Sequence, residues 1–164
     1  MNFQTLFIFF IRAVNRFFSW FPEKISFVQR TDFIEASKKY LWMKYILGWD
    51  GKGENGIDCS HLVCAAMIDA GGAQKYFHRT AHDLHRLCEK ITREKLFPWD
   101  LIFWQDEKER MEHVAIFLSK TENSLSIIDA SGPSSGLWST TERTIELQES
   151  LSFGRPPFFD EKII

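Results

Sequence analysis

Gly56-Ile57-Asp58-Cys59-Ser60-His61-Leu62-Val63-Cys64-Ala65-Ala66-Met67-Ile68-Asp69-Ala70-Gly71 decides how the rest of the chain is read. A Gly and an acid stand directly before a Cys, and an apolar run follows. Leu62, Ala65, Ala66 and Asp69 recur at helical spacing, and Gly71-Gly72 supplies the stop that a left-handed C-terminal cap requires. Cys59 is therefore expected at or just inside a helix N-terminus. Unpaired backbone N–H groups and the helix dipole favour negative charge there, and the thiolate is the nucleophilic form of cysteine. The alternative is a buried structural Cys, since free Cys is among the most buried residue types.

Working outward, the 164 residues set the expectation of one main domain, large enough for a real core. A net charge of −2 removes the electrostatic reason to expect nucleic acid, which needs a basic face. Three cysteines, with no C-x-x-C pair, argue against a disulfide framework and leave at least one thiol free. Cys64 and Cys88 read as core or bystander residues.

Residues 1–30 are read as an apolar N-terminal helix, and residues 31–164 as the catalytic domain. Only Leu6 to Ile11 is an uninterrupted apolar run, well short of the 18 or more residues of a membrane span. The leader Met1-Asn2-Phe3-Gln4 carries no basic side chain, so no cleavable signal peptide is expected. Thr5, Arg12, Arg16 and Ser19 form a narrow polar stripe on this segment. Such a helix either docks on the domain or makes peripheral membrane contact through residues 3–21. A second helix is expected from Thr31 to about Lys44, with Asp32 and Glu35 at capping-box spacing. A Gly-rich loop leads from Tyr45 to Gly56. A helix from Thr80, with Asp83 as its box partner, should run to about Lys90. His78, His82 and His85 lie at tempting intervals for a metal, but Thr80 caps the helix and leaves His78 outside it, so no metal site is expected.

From Phe97 onward the pattern becomes that of strands: Trp99–Trp104, Glu112–Leu118, Ser124–Ala130, Arg143–Leu147, and a last one near Phe153. Helices first and strands after predict an α+β domain, with the nucleophile helix packed on an antiparallel β-sheet. A thiolate needs a base, and the base an orienting group. Of the five histidines, His113 begins a strand. The short polar connection Ser119–Asn123 suggests a hairpin, and a turn centred near Thr121 sets Asp129 directly opposite His113. The alternative is a surface His–Asp pair with no chemical role.

These residues together resemble the NlpC/P60 cysteine peptidases, papain-like enzymes of bacterial cell-wall turnover. The resemblance covers roughly Phe33 to Phe159. Asp58-Cys59-Ser60 is similar to the family's nucleophile motif, and Tyr45-Ile46-Leu47-Gly48 to the Tyr-x-x-Gly segment before it. Arg79-Thr80-Ala81 is like its helix start, Trp99-Asp100-Leu101-Ile102-Phe103 like its Gly-Asp-Leu-Val-Phe strand, His113–Leu118 like its catalytic-His strand, and Phe153-Gly154-Arg155 like its closing strand. The resemblance implies a Cys59–His113 catalytic pair, with Asp129 at the third polar position. It also implies that Tyr45 helps the Cys59 backbone N–H hold the oxyanion, and that Asp58 and Ser60 contact substrate. Three positions depart from the pattern, each with a bulky residue in place of Gly: Trp49, His61 and Trp99.

The expected function is cleavage of peptide or amide bonds, with peptidoglycan stem peptides as the substrate in the manner of a γ-D-glutamyl-diamino acid endopeptidase. No cofactor and no nucleic-acid partner are expected. A monomer acting at the cell envelope is the expectation if the wall is the substrate. The alternatives are the same triad used as an amidase, acyltransferase or toxin on a non-wall substrate, and a catalytically inactive phage or structural module.

Overall fold

The stretch around Cys59 folds as its sequence dictates. In the computed structural model, which describes residues 30–48, 56–71, 79–132 and 136–157, it forms a helix over Cys59–Asp69. The Asp58 backbone is extended (φ −99°, ψ 175°), and its side chain accepts the His61 N–H, an N-cap of the kind that contributes about 1 kcal/mol. Gly71 closes the helix at φ +83°, a conformation that glycine takes without steric cost. The apolar N-terminal segment, Trp49 and His78 lie outside the described residues.

Three helices precede the sheet: α1 (Arg30–Lys38), α2 (Cys59–Asp69) and α3 (Ala81–Leu87). The sheet is built from β1 (Glu89–Ile91), β2 (Leu101–Gln105), β3 (Met111–Lys120), β4 (Ser124–Ser131), β5 (Ser139–Glu146) and β6 (Leu151–Arg155). Its strand order is β1-β6-β2-β3-β4-β5, antiparallel at every pairing. The α+β architecture is as expected from the sequence. Leu101, Phe103, Val114, Ile116, Ile128 and Ala130 pack with Leu62, Val63, Ala66 and Met67 of α2, and with Phe33 and Leu84 of the flanking helices. The other face of the sheet buries Ile102, Ala115, Phe117, Leu125 and Ile127 around Leu96. A fully buried aliphatic side chain contributes about 1.5–3 kcal/mol, so this two-sided burial fixes where α2 sits.

Several boundaries differ from the sequence reading. The helix expected to reach Lys44 stops at Lys38, because the next residues bond across the molecule: Trp42 N donates to Thr140 O, Tyr45 N to Trp138 O, and Thr140 N to Met43 O. α3 carries the full Thr80–Asp83 capping box but ends at Leu87, and residues 89–91 turn instead into a strand beside β6. β2 starts two residues later than expected, after the Asp100 backbone has turned. β5 starts at Ser139, four residues earlier than Arg143, and pairs with β4 along its whole length.

The β3–β4 register also differs. The turn closes between Thr121 and Ser124, and a bulge interrupts the ladder between Phe117 and Ser119. Beyond it Ile116 faces Ile128, where a turn centred on Thr121 would have set Ser126, and the ladder ends at that pair, before Asp129. The turn is centred between Glu122 and Asn123, where Lys120 pairs with Leu125, and not at Thr121; the bulge then changes the register by one residue.

Candidate active site

Each side chain of the site is placed by a different element. Cys59 is the first residue of α2, and Asp58 anchors that helix start. Asp58 Oδ1 accepts from Ser60 Oγ (2.9 Å) and His61 N (2.8 Å), while Oδ2 accepts from Gly48 N (2.8 Å). His61 Nδ1 lies 2.9 Å from the same Oδ2. Asp58 and Ser60 are thus buried at the cleft floor, with the Asp58 carboxylate engaged by the protein itself.

Tyr45 reaches the site through a parallel bridge to Ile57. Two glycines permit it. A Cβ at Gly56 (φ +134°) would stand 2.6 Å from Lys44 O, and one at Gly132 would stand 2.6 Å from the Tyr45 ring. Burial, followed by the charges of Cys59 and Asp58, pushes the Tyr45 phenol up to about 12. It is therefore a neutral O–H donor at ordinary pH.

His113 stands near the start of β3, paired with Trp104 of β2, and the two rings lie 5.0 Å apart. A register shift immediately beyond, where Gln105 pairs with Met111, re-aims the chain at this point. His113 Nε2 lies 2.8 Å from Asp129 Oδ2. Burial alone would lower the imidazole pKa. Hydrogen bonds with Asp129 and Cys59, and the charges of both, outweigh it and raise the ring to about 9. With Nε2 committed to Asp129, Nδ1 is the ring nitrogen left for the Cys59 sulfur.

Asp129 is fully buried. Its Oδ1 accepts from Arg143 Nε (2.9 Å), and its Oδ2 from Arg143 Nη2 (2.7 Å), the Ser131 hydroxyl and His113. Desolvation would raise its pKa, but the Arg143 and His113 hydrogen bonds reverse the sign and hold the carboxyl well below the usual carboxylate range. The structure therefore joins His113, Asp129, Ser131 and Arg143 in one hydrogen-bonded group and sets Cys59 where its charge acts on the His113 ring, while Tyr45, Asp58 and Ser60 line the same cleft as Cys59. The sequence reading missed Arg143 and Ser131. Arg143 was visible only as part of an alternating edge strand, and its role required the β4–β5 register in which it faces Ile127.

Cys59 is 6% exposed, and it opens on a cleft of about 390 Å³ also lined by Tyr45, Leu47, His61, Met111 and Glu112. Cys64 and Cys88 take no part. Burial pushes the Cys64 thiol up to about 12 and the Cys88 thiol higher still. Among the described residues no cluster of three or more His, Cys, Asp or Glu is arranged to hold a metal ion.

Comparison with solved structures returns the same architecture. The peptidoglycan hydrolase RipB of Mycobacterium tuberculosis is 19% identical over 77% of this chain, with a TM-score of 0.59; the match spans 63% of RipB. The P60 domain of antigen MAP1204 from M. avium subspecies paratuberculosis is 19% identical over 77% of this chain and 93% of that domain, with a TM-score of 0.58. RipD of M. tuberculosis, described as a non-catalytic NlpC/p60 domain protein adapted to peptidoglycan binding, is 16% identical over 81% of this chain and 98% of its own, with a TM-score of 0.54. Comparison with curated protein sequences gave no match. The NlpC/P60 family profile matches residues 44–147, a span that runs from the Tyr45 bridge through α2, the His113 strand and Asp129 to the end of β5, and on that match this chain belongs to the NlpC/P60 family.

Proposed function

We propose that the protein is a thiol hydrolase of peptide or amide bonds, acting on peptidoglycan stem peptides as a γ-D-glutamyl-diamino acid endopeptidase does. The observation that carries this reading is the His113 ring held by the buried Asp129 carboxylate, with Nε2 at 2.8 Å from Oδ2, beside a Cys59 whose charge acts on that ring and which opens on the cleft. Family membership supports it, as does the likeness to RipB, itself a peptidoglycan hydrolase.

In this mechanism the Cys59 thiolate adds to the scissile carbonyl carbon, and the carbonyl π electrons move to oxygen. The Cys59 N–H, at a helix start that no intrahelical carbonyl reaches, and the Tyr45 hydroxyl donate to that oxyanion. The C–N bond then breaks, and His113 Nδ1–H gives its proton to the departing amine. Water adds to the resulting thioester while His113 takes a proton from it, releasing the acid and restoring the thiolate. Asp129 holds the ring in the orientation that both transfers need.

Incubating isolated peptidoglycan with the wild type and with Cys59→Ala, and resolving the soluble fragments by mass, tests the reading. Stem-peptide fragments should appear with the wild type alone, and equal release by both proteins overturns it. His61, where the family pattern has Gly, lines the same cleft. This favours a second reading, in which the same three residues act on an amide outside the wall. That reading predicts intact peptidoglycan and a Cys59 that still reacts with a peptide electrophile.

A further inference from the structure

We propose that Arg143 is a positioning residue of the catalytic group, a fourth member that holds the Asp129 carboxylate in the plane where Oδ2 meets His113 Nε2 and offsets its charge. The inference rests on the hydrolase reading above and extends it to a residue on the neighbouring strand.

The geometry is a fork. Arg143 Nε takes Oδ1 at 2.9 Å and Nη2 takes Oδ2 at 2.7 Å, so both carboxylate oxygens are fixed by one rigid planar group. Nη2 also donates to Ser131 Oγ at 3.3 Å, and that hydroxyl in turn donates to Asp129 Oδ2. Arg143 thus holds the carboxylate both directly and through Ser131. Such bidentate pairing adds directional control as well as energy, and lysine, a point charge, does not reproduce it.

Charge balance follows from the same contact. A bare buried carboxylate beside His113 would hold the imidazolium so firmly that the ring became a poor acid for the departing amine. The guanidinium on the far side of Asp129 makes the pair nearly neutral and keeps the ring able to release its proton. The titratable and charged groups acting on His113 are Cys59 from α2 and Asp129 from β4, while β2 contributes the uncharged Trp104 ring and β5 contributes Arg143 behind the carboxylate.

The test compares full-length wild type, Arg143→Gln and Arg143→Lys by the pH dependence of peptidoglycan cleavage, and by NMR titration of the His113 ring without substrate. Removing the cation should move the His113 titration to higher pH by roughly half a unit to one unit. It should also lower kcat about tenfold with little change in KM. Arg143→Lys keeps the charge and loses the fork, so its ring should titrate near the wild-type value while kcat still falls several-fold. Where Arg143→Gln does not fold, the Lys variant alone decides. A wild-type kcat in Arg143→Lys, or an unmoved ring in a folded Arg143→Gln, overturns the proposal, even if the melting temperature drops. The ring titration needs no substrate, so failure of the hydrolase reading leaves peptidoglycan uncut by the wild type while the His113 titration still reports on Arg143.

Discussion

His113 of β3 and Asp129 of β4 meet with 2.8 Å between Nε2 and Oδ2, just past the Ile116–Ile128 pair where the ladder between those strands ends. Because the Asp129 carboxylate is wholly buried and shared with Arg143, its replacement has two separable effects. Asp129→Asn should cut turnover by roughly 10²–10⁴ through loss of ring orientation, as measured by initial rates of fragment release. The same change leaves the Arg143 guanidinium unpaired and should cost about 3 kcal/mol in chemical denaturation.

The pH dependence has a definite sign. His113 is raised from 6.5 to about 9, so its contribution to stability is fully present below about 6.5 and is lost as pH rises towards 9. Asp129 is depressed from 3.8, so its contribution is present above that value and is lost at lower pH. The melting-temperature gap between wild type and His113→Gln should be widest near pH 5–6 and should narrow by pH 9. In the proposed mechanism the protonated ring supplies the departing amine, so kcat/KM should decline above about pH 9.

The chain reads clearly where local chemistry suffices. The Asp58 cap, the apolar run and Gly71 delimit α2 without help from the rest of the molecule, and Thr80 with Asp83 fixes the start of α3. It reads poorly where distant contacts decide. Tyr40-Leu41-Trp42-Met43 looks like a continuing helix, yet Trp42 takes φ +71° and its N–H bonds to Thr140 on β5. The bulge beyond Phe117 shifts the hairpin register by a step that no turn residue announces, and Arg143 becomes meaningful only once the β4–β5 register is known.

Trp99 illustrates the same limit at a departure from the family pattern. It occupies φ +88°, a region that glycine enters freely and a bulky residue enters only under strain, and its ring packs against the core. Trp99→Ala keeps the strain and loses the packing, whereas Trp99→Gly loses the packing and relieves the strain. The Gly variant should therefore be about 1 kcal/mol more stable than the Ala variant in urea unfolding.

Tyr45 is held by close backbone approach on two sides, so its position can be perturbed without touching the ring. Tyr45→Phe should lower kcat by about 10²-fold, the usual loss for one oxyanion donor. Gly132→Ala, whose Cβ would press on the Tyr45 ring, should lower kcat in the same direction while leaving the hydroxyl in place. Steady-state kinetics on fragment release would check both.

The most direct test of the central claim, that Cys59 is the nucleophile and His113 its proton partner, is peptide mapping by mass after brief exposure to a peptide chloromethyl ketone. The account predicts a single adduct on Cys59 in the wild type, none on the buried Cys64 or on Cys88, whose thiol is pushed up, and labelling slowed at least tenfold in His113→Ala. Equal labelling rates in the two proteins, or an adduct spread over the three cysteines, would contradict it.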